Sequence, residues 1–214
     1  GMVALTYDFS TPPNQTEEQA SEADTFPLDR LTELFEGGGS TTVNYTEFRF
    51  EKTAPAGFVY KGALASASNI KVYINETKVA FVDSNTIYAQ DGLNFMDFAT
   101  DYPVNYIFNN FDTSNVTLMT SMFQGCYIGE IDLKSFNTAN VTDFSDMFHG
   151  AIITNVLDLS NFVINEGAIV DGMLDLATNY EHMKILVTPK TVKTEISITT
   201  GSALFDGSTG DSKT

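Results

Sequence analysis

The sequence predicts an α/β fold in which short strands and short helices alternate and stack into a solenoid. Three observations carry that expectation: a 25-residue unit occurring twice in succession, apolar–polar–apolar triplets closing each unit, and apolar runs at helical spacing ended by glycine. FDTSNVTLMTSMFQGCYIGEIDLKS (111–135) and FNTANVTDFSDMFHGAIITNVLDLSN (136–161) align so that Phe111, Val116, Met122, Phe123, Gly125 and Leu133 return as Phe136, Val141, Met147, Phe148, Gly150 and Leu159. The offset is 25 residues and becomes 26 after the glycine. A weaker third copy, 162–190, sets Met173-Leu174 against Met147-Phe148 and Ile185-Leu186-Val187 against Leu157-Asp158-Leu159.

Each element has a physical reading. Thr117 and Thr142 stand where a helix N-cap belongs, ahead of the run Phe144, Met147, Phe148. Gly125 and Gly150 supply the left-handed residue that ends the helix. Ile131-Asp132-Leu133 and Leu157-Asp158-Leu159 alternate as strands with apolar residues inward, and Phe111 and Phe136 turn the corner into the core. A unit of this size has no apolar face buried alone, so stacking is what stabilises it. Upstream, 104–108 (VNYIF) is the preceding strand. The irregular N-terminal coils place strands at Phe48-Arg49-Phe50 and at 71–75, with a hairpin through 74–82 in which Val79–Val82 is an alternative ladder strand. PLDRLTELFEGGG (27–39) reads as a capping helix that begins at proline and ends at Gly37. At the other end 194–210 repeats the helix-and-glycine half without a strand, as a terminal cap should. Residues 1–26, with the Pro-, Ser- and Glu-rich stretch 10–26, read as an arm or linker, and Gly1 ahead of Met2 as the scar of a cleaved tag. The repeat domain is then 27–210, followed by a disordered tail at 211–214.

Composition narrows the function classes. Among 214 residues, 28 acids against 11 bases give a formal charge of −17, with −7 over residues 1–36 and −12 over 91–182. That balance argues against nucleic acid and anionic membrane surfaces, which require clustered Lys and Arg. No apolar run approaches a membrane span, and the single Cys126 excludes an internal disulfide framework. Cys126 reads as a small buried filler, because Ala151 takes its place one unit later. His149 and His182 read as helix-end residues, with the cation of His149 complementing a helix dipole. GGGS (37–40) reads as a turn, lacking the lysine and order of a phosphate loop. Asn115-Val-Thr117 and Asn140-Val-Thr142 look like sequons, but their recurrence marks them as turn and cap. DGSTGDS near the C-terminus lacks the ligand order of a calcium loop. No catalytic pair of carboxylates converges outside the repeat, so no enzyme, cofactor or metal is expected, and a hydrolase is the remote alternative.

The two units resemble the BspA-type leucine-rich repeats of bacterial surface proteins, including the repeat of mycoplasma surface lipoproteins. The family pattern, roughly F-N-T-S-N-V-T-x-M-x-x-M-F-x-G-C followed by L-D-L-S, is matched closely by 111–135 and 136–160, and 57–74 resembles a related variant. The resemblance implies a leucine-rich-repeat-like, right-handed solenoid displayed at the surface of host-associated bacteria and linked with adhesion. Strand parity then puts one stripe of side chains on the open face: Arg49, Tyr73, Ile107, Asp132, Asp158 and Leu186, flanked by Asn75, Asn109, Lys134, Ser160 and Thr188. Asp132 and Asp158 would be close like charges, offset by Lys134 or a cation. The expected role is a non-enzymatic, extracellular or cell-surface interaction module. It would bind a protein or glycan, including one from a host, through that face. The alternative is a structural or receptor-binding part of a phage or exported assembly.

Overall fold

The computed structural model describes residues 21–28, 44–177, 184–186, 198–200, 203–205 and 212–213. Strands β1 (Glu47–Glu51), β2 (Val59–Ala63), β3 (Lys71–Asn75), β4 (Lys78–Val82), β5 (Val104–Phe108), β6 (Tyr127–Ile131) and β7 (Ile152–Ile153) form a seven-stranded mixed sheet ordered β2-β3-β4-β1-β5-β6-β7. β8 (Val156–Asp158) pairs in parallel with β10 (Lys184–Leu186). β9 (Leu174–Leu176) pairs in parallel with β11 (Ile198–Thr200), which makes an antiparallel hairpin with β12 (Ala203–Phe205). β13 (Ser212–Lys213) adds to β12, so two residues of the expected tail are in a strand.

Alternation decides which faces are buried. In β5, Val104, Tyr106 and Phe108 are buried while Asn105 and Ile107 are half-buried. β1 matches it in register, Phe48 beside Tyr106 and Phe50 beside Phe108. On its other side β1 meets β4, Phe48 beside Val79 and Phe50 beside Phe81. The ladder neighbour of β1 is therefore β4, the alternative strand in the sequence reading. β3 lies one strand further out, as the antiparallel arm of the hairpin through 74–82.

The expectation of an α/β, leucine-rich-repeat-like solenoid of strand-plus-helix coils is overturned. Among the described residues the fold is a mixed β-sheet, and its helical content is two three-residue 3-10 turns, Glu22–Asp24 and Met96–Phe98. The reason lies in where the backbone amides go. In the run expected to be helical, Met119, Ser121, Phe123 and Gly125 donate to the carbonyls of Asp143, Ser145, Met147 and His149 in the next unit, at 2.7–2.9 Å. One unit later Phe144, Asp146, Phe148 and Gly150 donate to Ile169, Asp171, Met173 and Asp175. Amides between them close short turns instead, such as Gln124 to Ser121 and Cys126 to Phe123. Every second amide thus serves the neighbouring unit, and no register of i to i−4 bonds is left to make a helix. Ser121 and Asp146 have φ of 58° and 55°, a left-handed conformation that no α-helix contains. Thr117 is no N-cap: its N–H and Oγ1–H donate to the Asp91 carboxylate at 2.6 and 2.8 Å. Burial pushes that carboxyl up, but the bonds from Thr117 and the Leu118 amide hold it below the usual carboxylate range. The C-terminal cap is likewise a hairpin, β11–β12, where a helix was expected.

What the repeat does specify is parallel stacking at the 25-residue offset. β6 and β7 pair as Tyr127 beside Ile152 and Ile128 beside Ile153. β10 meets β8 as Ile185 beside Leu157, at the longer offset of 28 residues that aligns the third copy with the second. Inside, corner residues Phe111, Phe136 and Phe162 follow one another at 6.0 and 6.4 Å. A second column, Phe95, Phe123 and Phe148, stacks at 5.0 and 5.4 Å. Thr113 and Thr138, both buried, place their hydroxyls between the backbones of successive units: Thr138 Oγ1 donates to Val163 O at 2.9 Å and accepts from Val163 N–H at 2.7 Å. The sequon asparagine Asn140 donates to Ser114 O at 2.8 Å, confirming its place in the turn.

The unit-ending glycines Gly125 and Gly150 keep their left-handed role with φ of 69° and 67°, and Gly172, at the position of Ser121 and Asp146, is left-handed too with φ of 67°. A Cβ on Gly125 meets nothing within 4 Å, whereas one on Gly172 would overlap the Asp146 carboxylate. Gly125→Ala is expected to cost about 1 kcal/mol and Gly172→Ala about 2 kcal/mol. Both are measurable by urea denaturation, and equal losses would show that Asp146 swings aside freely.

Residues 21–26, read as part of a linker, are instead packed: Ser21, Ala23, Asp24 and Phe26 are buried. The reading missed them because one aromatic in a polar stretch is enough to anchor a segment. The expected capping helix at 27–39, the GGGS turn, His182 and Thr188 fall wholly or almost wholly outside the described residues.

Candidate functional site

The outward residues of the sheet do come into line, but as two stretches. At the β1 end, Arg49 lies beside Ile107 on one side and Ala80 on the other, and Ala80 separates it from Tyr73. Arg49 is spoken for: Nε sits 3.3 Å from Glu47 Oε2 and Nη1 3.7 Å from Glu51 Oε1, and the guanidinium lies over the Phe58 ring. Asn109 Nδ2 donates to the same Glu51 at 2.8 Å. Tyr73 packs edge-on to Tyr60, which is exposed. This end satisfies itself and has little left to offer a ligand.

The second stretch contains a groove of about 240 Å³ lined by Ile107, Glu130, Ile131, Asp132, Asn155 and Val156, with Tyr106 and Gly129 at its base. Two one-residue insertions make it. Pairing of β5 with β6 shifts between Val104–Ile128 and Tyr106–Ile131, so β6 carries one extra residue there. Asn105 fills the break, its Oδ1 accepting the Glu130 N–H at 2.9 Å, and Gly129 is needed because a Cβ would lie 2.5 Å from that oxygen. One unit later the offset lengthens from 25 to 26 within 154–156, between β7 and β8. There the seven-stranded sheet stops at β7, and β8 belongs to a separate sheet with β10. Thr154 Oγ1 closes part of the gap by donating to Ile128 O and Gly129 O at 3.1 and 2.8 Å. Beyond it the walls of β6 and β8 part, leaving Glu130, Asp132, Asn155 and Val156 exposed.

The stripe is thus corrected in one respect. Asp132 follows directly on β6 and Asp158 ends β8, two strands that do not pair with each other, and what offsets their charge is backbone. Asp132 Oδ1 accepts the Lys134 N–H and Asp158 Oδ1 the Ser160 N–H, each at 2.9 Å. Lys134 and Ser160 themselves are exposed on the flank. Asp112 and Asp143 accept from Ser114 and Ser145 in the same way. Leu186 is placed by register beside Asp158. Glu130, Asn155 and Val156 were missed by the sequence reading. The change of offset from 25 to 26 was the signal that locates them.

Other candidates resolve into packing. Cys126 is buried, its Sγ 3.4 Å from Phe95 O. His149 has no helix dipole to complement; its Nδ1 lies 3.2 Å from Asp175 Oδ2 and 3.8 Å from Asp146 Oδ1. Among the described residues, no group of three or more His, Cys, Asp or Glu could hold a metal ion, and no helix is long and apolar enough to cross a membrane.

The groove and both clear repeats lie within residues 93–206, the span matched by a family model covering more than half of the chain. The chain belongs to DUF285, described as Mycoplasma protein of unknown function. No curated protein and no solved structure matches it. The DUF285 segment holds β5 to β12, so the Arg49 cluster and the β2–β3–β4 hairpin lie ahead of it.

Proposed function

We propose that this chain is a non-enzymatic interaction module of a bacterial surface that holds a protein partner in the groove between β6 and β8. The observation that carries the reading is the parting of the two sheets, which leaves carboxylates and apolar side chains together at an exposed strand margin. Ile107, Ile131 and Val156 suit an aliphatic stem, and Glu130 and Asp132 suit the basic head at its end. An extended segment bearing Lys or Arg fits this chemistry better than a glycan does: the Tyr106 ring is buried and the chain has no Trp for stacking against a sugar. Membership in a Mycoplasma family and the likeness of 111–160 to BspA-type surface repeats are consistent with a bacterial surface setting.

Peptide and glycan arrays probed with the purified chain test this at two salt concentrations. Retention on extended Lys- and Arg-bearing peptides should weaken as ionic strength rises. Asp132→Lys combined with Val156→Asp should abolish it while leaving the melting curve in place, since both side chains are at the surface. Retention on glycans alone, or undiminished peptide retention by the double variant, would overturn the proposal.

A further inference from the structure

The seven-stranded sheet ends in two unlike margins. One is β2, the outermost strand of the order β2-β3-β4-β1-β5-β6-β7. Val59, Tyr60, Lys61 and Ala63 are exposed there, and only Gly62 is half-buried. Val59 at 59% and Tyr60 at 54% are the most exposed large apolar residues among those described. Pairing of β2 with β3 shifts between Tyr60–Tyr73 and Gly62–Val72, which leaves Lys61 as the extra residue of a bulge. Lys61 makes no hydrogen bond or ion pair among the described residues. The outward face around Arg49 is self-satisfied, but the edge beyond it is not.

The opposite margin is the groove where β6 and β8 part, with Ile107, Ile131 and Val156 beside Glu130 and Asp132. Five strand spacings separate β2 from β6, a distance of about 24 Å, so the two margins of one copy do not meet. They also differ in charge. Residues 52–82, which hold β2, β3 and β4, carry four lysines against one acid, Glu76. Residues 127–158, which hold β6, β7 and β8, carry five acids against one lysine, Lys134.

We propose that the groove takes β2 of a second copy of this chain, so that copies join head to tail along the sheet. The proposal rests on the reading of the groove as the seat of an extended, Lys-bearing segment, and names that segment. Lys61 brings the ammonium that Glu130 and Asp132 suit, and Val59 and Tyr60 bring apolar surface to Ile131 and Val156. Pairing of β2 with β2 is disfavoured, because it sets two Lys61 side chains together. The docking strand lies ahead of the DUF285 segment and the groove within it, so the N-terminal part of the chain supplies the partner. Since the two margins are different surfaces, one contact leaves a free margin at each end, and the assembly grows past the dimer as a chain or ring. The formal charge of −17 on every copy opposes association at long range. Salt screens that repulsion more than it screens a close pair.

Sedimentation velocity of the full chain at an ionic strength of about 0.15 M reads this directly. Over roughly 1 μM to 1 mM protein, the average mass should rise with concentration and pass that of a dimer. Lys61→Glu and Asp132→Lys change exposed side chains. Each should lower the association constant at least ~10-fold by setting like charges together. The two substitutions combined in one chain should restore part of the loss, because the reversed charges attract again. Should a variant fail to fold, the mass of the unaltered chain decides alone. A mass fixed at the monomer, growth that ends at the dimer, or a double variant that associates no better than the single ones would each overturn the proposal. The peptide array separates this failure from that of the groove reading. Retention of Lys-bearing peptides by a chain that stays monomeric removes the second copy as partner and leaves the groove a binding site.

Discussion

Replacing Phe95 with alanine is expected to lower the unfolding free energy by about 4 kcal/mol, the middle of the range for a buried aromatic. Phe95 is fully buried where three parts of the molecule meet. Its ring lies 6.5 Å from Phe26 of the packed N-terminal segment 21–28, 6.2 Å from Phe50 and 5.8 Å from Phe108 of the sheet, and 5.0 Å from Phe123 of the first clear repeat. Its backbone is held as well, the N–H donating to Met122 O at 2.6 Å. A cavity there has no easy way to collapse, because the surrounding rings come from strands and turns held by their own ladders. Phe95→Leu keeps most of the volume and should lose about 1.5 kcal/mol or less. Guanidinium denaturation with an unchanged slope checks both values. A Phe95→Ala loss under about 1.5 kcal/mol would mean that the aromatic column repacks, contrary to the close packing inferred here.

Much of this core was legible from the spacing of aromatic residues. Phe111 and Phe136 were read as corners turned inward, and they are. VNYIF alternates over 104–108 and is β5 to the residue. The third copy was aligned on Ile185 and Leu157, and those residues are partners. What failed was the conformation between the anchors. Phe144, Met147 and Phe148 are spaced as one face of a helix would be, and all three are buried, but a tight parallel turn buries the same set. Spacing reports which side chains point inward and not where the amides donate. The left-handed Ser121 and Asp146 carry no mark of their own in the sequence.

The acidic charge had a partial reading for a similar reason. Counted along the chain it suggests a repulsive, solvated surface, yet Asp112, Asp132, Asp143 and Asp158 each accept the amide two residues on. They are turn formers that happen to be charged. Glu130 is different. It accepts no backbone bond among those described, its own amide being held by Asn105, and this leaves its carboxylate on the groove as one that turn geometry does not explain. The burial of Asp24 was illegible, since that residue lies in a segment that reads as a linker.

The residue before each corner phenylalanine carries the second large effect. Asn110, Ser135 and Asn161 precede Phe111, Phe136 and Phe162. Each sends its side chain back to carbonyls that strand pairing leaves over. Asn110 Nδ2 donates to Asp83 O and Asn85 O at 2.9 Å, and more weakly to Glu51 O at 3.5 Å, while Oδ1 lies 3.4 Å from the Ile87 N–H. Asn161 Nδ2 reaches Leu133 O and Phe136 O at 2.9 Å. Ser135, shorter, makes one bond to Phe108 O at 3.2 Å. Asn110 is buried and Asn161 half-buried, so water replaces the lost donor more readily at the second site. Asn110→Ala is therefore expected to cost about 3 kcal/mol and Asn161→Ala about 1.5 kcal/mol. Asn110→Asp separates the hydrogen bonds from mere volume. Its carboxyl would face the same carbonyls, which hold a proton on it and raise its folded-state pKa, so the variant should be most stable in acid and lose stability as pH rises toward neutrality. Thermal melts of the three variants across about pH 4 to pH 8 test the account. Equal losses at Asn110 and Asn161, or an Asn110→Asp variant indifferent to pH, would show that these side chains fill space and that the carbonyls are satisfied by other means.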